Sequence, residues 1–214
     1  MTIETRAQTC MMYLVRHGAT ANNQMTPPRL QGRKVDLDLS PDGVAQAEAT
    51  AAFLAEHPIA SVYASPMRRA RQTAEAIAAP HGLEVRLLDG LVECDVGDWE
   101  GKSWGEIERD EPEAYRLFQE DSYRHGYRGG ENIAQVERRS QPALIQAAAE
   151  NVGRRIVVVA HNVVNRTFLG GLLEIPPSRR RLVPQDNCGI SLIRYRDGAF
   201  KAETINMAFH LPRG

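Results

Sequence analysis

The chain has 214 residues, with 26 basic and 27 acidic side chains, a net charge of -1 and 43% hydrophobic residues. Such a chain is expected to form one globular domain burying about 70% of its unfolded surface. The balance excludes a broadly basic nucleic-acid binder and a highly charged disordered chain. No run of 18 apolar residues occurs, so no membrane span is expected, and the first ten residues lack the apolar stretch of a secretory signal. Cys10, Cys94 and Cys188 are odd in number, far apart and without zinc spacing, which reads as a reducing, cytoplasmic setting.

Short apolar runs alternate with helical patterns, the mark of an α/β fold with a largely parallel sheet. Residues 1–10 read as a flexible tail, and 11–214 as a single domain with an insertion around 94–131. Met11 to Val15 is the first strand. Ser40-Pro41 caps a helix running to about Glu56, with Val44, Ala47, Ala51 and Leu54 on its buried face. Ile59 to Ala64 is a second strand, followed by a helix from Ser65-Pro66 to before Pro80, and Leu83 to Leu87 is a third strand. Ser103 to Gln119 reads as helix interrupted near Pro112. Ile133 to Asn151 is the longest helical pattern, which Pro142 should kink or break. The all-apolar Ile156 to Ala160 suits a central strand, and a helix follows His161. Ile190–Arg196 and Ala199–Asn206 form a hairpin through Asp197-Gly198.

The strand ends carry chemistry. If the strands are parallel, their carboxyl ends deliver His17, an arginine and His161 to one edge, where sites form in such sheets. His17 follows a strand and precedes Gly18, which permits a sharp turn. A neutral imidazole there can attack phosphorus, and Arg16 can neutralise phosphate. Among Arg68, Arg69 and Arg71, helical spacing puts Arg69 on the sheet-facing side with Thr73 and Ile77, and leaves the other two in solvent. Glu93, Asp95, Asp98 and Glu100 cluster within eight residues. They fit a solvated loop, a magnesium site or a proton-donating carboxyl, and the residues alone do not choose. His161 ends the central strand and suits donation, as a charged group, to a phosphoryl oxygen. A satisfied strand-end histidine is the competing reading for both imidazoles.

Taken together these segments resemble the histidine phosphatase superfamily, in its phosphoglycerate mutase-like branch. The resemblance rests on Arg16-His17-Gly18-x-Thr20, Ser65-Pro66-x-x-Arg69-Ala70, Glu93 ahead of Trp99-Glu100-Gly101, and His161. Leu30-Gln31-Gly32, the Leu39-to-Ala47 segment and Gly129-Gly130-Glu131 agree with it, over about Tyr13 to Ile193. It implies a three-layer α/β/α sandwich. It further implies His17 as a nucleophile forming a phosphohistidine, and Arg16, Arg69 and His161 around the phosphate. Glu93 becomes the proton donor and then the base, and Asn23, Gln31 and Gly32 add polar contacts. No metal or other cofactor is implied, and the partner is a small phosphorylated substrate.

Two departures matter. Asn162 stands where the family has glycine, either adding a group to the pocket or capping the next helix. Val96 stands where the mutases carry tyrosine, and the middle segment is compact; both favour a phosphatase, as does Asp186 to Ser191. A phosphoglycerate mutase and a phosphate-ester-binding regulatory module are the alternatives. Arg29, Arg33, Lys34, Arg124 and Arg128 either bind a second anionic group or are solvated surface, and Arg179-Arg180-Arg181 reads as surface. Trp99 and Trp104 read as core or as pocket wall.

Overall fold

The computed structural model describes residues 9–211. Six strands form one sheet: β1 (Thr9–Arg16), β2 (Ile59–Ala64), β3 (Val85–Leu87), β4 (Arg155–Ala160), β5 (Ile190–Arg196) and β6 (Ala199–Met207). Their order is β3-β2-β4-β1-β5-β6. The first four in that order pair in parallel, and the β5–β6 hairpin adds an antiparallel edge beside β1. The hairpin turns through Asp197 and Gly198, both at positive φ, the backbone that a tight two-residue turn requires. β4 is central because both of its faces are apolar. Ile156, Val158 and Ala160 enter one hydrophobic cluster, while Val157 and Val159 enter the other.

Helices cover both faces, giving the expected three layers. On one side lie α2 (Pro41–Ala55) and α3 (Arg68–Ala78); on the other lie α6 (Ile133–Ala149) and α7 (Asn162–Leu172). A one-turn α1 (Ala21–Gln24) follows β1. Helices α4 (Trp104–Asp110) and α5 (Pro112–Glu120) meet at Pro112, as its position predicts. A 3₁₀ turn spans Pro177–Leu182.

Three expectations need correction. Thr9 and Cys10 belong to β1, where Cys10 is fully buried opposite Tyr195; residues 1–8 of the expected tail lie outside the described residues. Val44 is 44% exposed, and Gly43 takes its place on the buried face of α2. A side-chain carbon on Gly43 would lie 2.0 Å from the Ala19 carbonyl oxygen, so the loop after β1 sits directly on this helix start. Pro142 does not break α6. It is exposed, as is Arg138, whose carbonyl loses its helical partner, so solvent can satisfy that group.

Candidate active site

The carboxyl ends of β1, β2 and β4 meet at one edge because the three strands are parallel and in register. There a cleft of about 440 Å³ is lined by Arg16, His17, Asn23, Gln31, Glu93 and Asn162, among others. Arg69 and His161, both fully buried, stand behind this wall, and so does Gly32. All nine residues singled out from the sequence therefore gather at one place, six on the surface of the cleft and three supporting it.

His17 is 3% exposed. Its Nδ1 lies 2.7 Å from the Gly18 carbonyl oxygen, which can only accept, so Nδ1 carries the proton. Nε2 is then a lone-pair nitrogen, and Arg69 Nε donates to it across 3.3 Å. Burial, followed by the charges of Arg69 and Arg16, holds the imidazole well below its ordinary pKa. The ring is neutral at pH 7. Gly18 is required where it stands, because a side-chain carbon would lie 2.5 Å from the Gly43 carbonyl oxygen. Its amide donates to Thr73 Oγ1 on α3.

Two arginines flank His17 differently. Arg69 spends its guanidinium on the protein, donating to the Val35 and Gly32 carbonyls at 3.1 Å each and to His17. Arg16 donates to the Gln185 carbonyl at 2.6 Å, and its buried Nε has no protein partner. Burial lowers its pKa to about 10, so it remains a cation. Asn187 closes this side, donating to the His17 carbonyl at 2.9 Å.

His161 packs against His17, with ring centroids 5.1 Å apart. Its Nε2 lies 2.8 Å from Ser65 Oγ, a hydroxyl that accepts from the Met67 amide. Its Nδ1 is buried without a protein partner. Burial and then the charge of Arg69 hold His161 well below its ordinary pKa.

Glu93 is 3% exposed. Its carboxyl oxygens accept from the Cys94 amide at 2.9 Å and the Val163 amide, at the start of α7, at 3.3 Å. Burial raises its pKa, against those amides and the charge of Arg69. A hidden brace fixes its loop. Arg139, on α6, donates to the carbonyls of Gly90, Val92 and Glu93 and to both oxygens of Glu131.

The other acids of the 93–100 loop are engaged. Asp95 pairs with Arg33 at 2.8 Å and lies 3.8 Å from Lys34; Glu100 accepts from the Gly32 amide at 2.6 Å. Asp98 lies 3.8 Å from Arg128. Among the described residues, no three His, Cys, Asp or Glu side chains are grouped to hold a metal ion.

The remaining polar residues fall into place. Asn23 caps the Thr20 amide, and Gln31 accepts from Thr20 Oγ1 at 2.7 Å. Asn162 is the first residue of α7, whose N-cap is His161; its side chain lines the cleft, with Oδ1 buried and unpartnered. Of the uncommitted basic residues, Arg29 reaches the cleft while paired with Glu106. Arg124 pairs with Asp121 and Arg128 with Glu111, and neither lines the cleft. Trp99 is fully buried core, whereas Trp104 is 37% exposed and walls the cleft. Sequence reading missed Asn187 and Arg166. Arg166 was findable: one helical turn separates it from Asn162, on the face of α7 that Asn162 shows to be the site.

Comparison with known proteins follows this geometry. The family model for the histidine phosphatase superfamily (branch 1) matches residues 12–208. The chain belongs to the histidine phosphatase superfamily. It is 31% identical over 200 residues to phosphoserine phosphatase 1 of Hydrogenobacter thermophilus, covering 94% of this chain and 93% of the relative. It is 33% identical to the metal-independent phosphoserine phosphatase of Arabidopsis thaliana, covering 98% and 86%. Among solved structures, the phosphoserine phosphatase of Entamoeba histolytica in complex with 3-phosphoglyceric acid superposes with a TM-score of 0.84. That match has 29% identity and covers 95% of this chain and all of the other.

Proposed function

We propose that this chain hydrolyses the phosphomonoester of a small metabolite through a phosphohistidine on His17, without a metal ion. One observation carries the reading: His17 Nε2 is a neutral lone-pair nitrogen, fixed by the Nδ1 contact to Gly18, between two arginines and in the same cleft as the protonatable Glu93. As the Arg69 Nε hydrogen bond to it is released, the Nε2 lone pair attacks phosphorus while the ester P–O bond breaks, and Glu93 gives its proton to the departing oxygen. The Glu93 carboxylate then takes a proton from water, whose oxygen attacks phosphorus as the P–N bond breaks. Arg16, with the buried imidazole of His161, stabilises charge on the transferring group. Arg69 acts through His17 and the Gly32–Val35 loop. Asn23, Gln31, Gly32 and Asn162 order the polar wall of the cleft.

The names of the relatives support this reading, since two are phosphoserine phosphatases and one of these is called metal-independent. Phosphoserine is therefore the first substrate to assay, beside phosphoglycerates and sugar phosphates. We assign the protein to the cytoplasm on its three buried free cysteines; among the described residues no helix is long and apolar enough to cross a membrane. The test is phosphate release from that panel in EDTA. Release that persists in EDTA and vanishes in His17→Ala is the expected result. Release unchanged in the variant, or isomerised phosphoglycerate in place of free phosphate, contradicts it.

A further inference from the structure

Beside the catalytic cleft lies a second cavity of about 430 Å³. Trp104, Tyr127, Val163 and Arg166 line both, so the two are adjoining chambers. The far wall of the second is aromatic and aliphatic, with Tyr115, Phe118 and Leu182. Its rings brace one another: Phe118 stands 4.7 Å from Tyr127 and 5.6 Å from Trp104, centroid to centroid. A wall of mutually packed rings is formed before a ligand arrives.

The dividing residues place this chamber on the leaving-group side. The Val163 amide holds Glu93, the group that protonates the departing oxygen. Whatever is bonded to that oxygen emerges next to Val163 and Arg166. Arg166 is a cation with no carboxylate partner among the described residues at this junction. Its Nε donates to the Val183 carbonyl at 2.9 Å, and it forms no ion pair with any described residue. Arg180, deeper in the same wall, is by contrast engaged with Glu137 and the Ile175 carbonyl. A cation without a carboxylate, at the junction of a phosphate pocket and an aromatic chamber, suits a second anionic group on the ligand.

We propose that the second chamber is the leaving-group subsite, selecting phosphomonoesters of alcohols that carry an apolar, ring-sized body and an anionic substituent held by Arg166. The proposal rests on the phosphatase reading for which end of the substrate enters where.

Binding of non-hydrolysable phosphonates, measured by calorimetry, tests it independently of turnover. The probes are propylphosphonate, 3-phenylpropylphosphonate and 3-(4-carboxyphenyl)propylphosphonate. The ring should tighten binding at least about tenfold over propylphosphonate, since each methylene fitted into an apolar pocket is worth roughly that much. Ser178→Phe, which fills the chamber, and Leu182→Asp, which places charge at its exposed mouth, should each abolish most of that gain. Propylphosphonate, too short to enter the chamber, serves as the control for folding in both. The carboxyl group should add about a further fivefold, lost in Arg166→Met. Propylphosphonate binding with no gain from the ring, or a gain that survives both chamber variants, overturns this proposal and leaves the phosphatase reading standing. A ring gain without a carboxyl gain overturns the role of Arg166. Failure of all three phosphonates to bind overturns the phosphate-pocket reading as well.

Discussion

The phosphate end of the site and the leaving-group end are built by opposite means. At the phosphate end, strand termini and the loops after them present His17, Arg16 and Glu93, and nearly every group is cross-braced by hydrogen bonds between residues far apart in sequence. At the other end, helices α4, α5 and α7 and the Pro177–Leu182 turn supply rings and aliphatic side chains held by packing. Hydrogen-bonded braces tolerate no change of partner, whereas an apolar wall is re-cut by single substitutions. The chemistry is therefore fixed at one end and specificity is adjustable at the other.

Substitutions at the braced end should have the larger effects. Glu93→Gln keeps one of the two amide contacts and removes the transferable proton. It should lower kcat for phosphoserine by about 10²- to 10⁴-fold, and much less for p-nitrophenyl phosphate, whose leaving group needs no proton. An equal loss on both substrates would remove Glu93 from the role of acid.

Arg139→Met tests whether the brace matters beyond stability. Removing this guanidinium strands the three loop carbonyls and Glu131, at a cost of roughly 3 kcal/mol in denaturant unfolding. A positioning role further predicts about a tenfold fall in kcat with little change in KM, and a shifted basic limb in the pH profile. A purely structural role would leave that limb in place.

The smallest effect is in pH dependence. The proposed mechanism needs Glu93 protonated, so kcat/KM for phosphoserine should fall as pH rises through the raised pKa of Glu93. Stability should move the other way on the acid side. His17 and His161 stay neutral when folded but take up protons when unfolded below about 6.5. The unfolded state then binds more protons, and the melting temperature should drop as pH falls from 7 toward 5. A double His17→Ala, His161→Ala variant should show a flatter dependence.

This contrast also explains what the sequence made legible. Strand-end histidines, the proline-started helices and the Asp197-Gly198 turn are local signals tied to local geometry, so the parallel sheet and the placing of His17 and His161 at its edge could be read in advance; the three layers and Glu93, Asn23, Gln31 and Gly32 were legible only through the resemblance to the family. Arg69 was separable from Arg68 and Arg71 because helical spacing alone decides which faces the sheet. Arg139 was not, because its partners are backbone carbonyls of a loop some 46 to 49 residues away, which no side-chain pattern reports. Phe118 and Tyr115 escaped for another reason: a ring lining a chamber and a ring in the core have the same helical spacing. Val44 was misplaced because Gly43 makes the close approach to Ala19 at the start of α2, whereas Ala47, Ala51 and Leu54 keep the expected buried face.

The central claim is that His17 Nε2 carries the phosphoryl group. Rapid acid-free quenching of the enzyme with ³²P-labelled phosphoserine, followed by peptide mapping, tests it most directly. A base-stable, acid-labile label on the peptide containing His17, formed at least as fast as phosphate is released and absent in His17→Ala, is the predicted result. Steady phosphate release with no label on that peptide, or a label that persists in the variant, would contradict it.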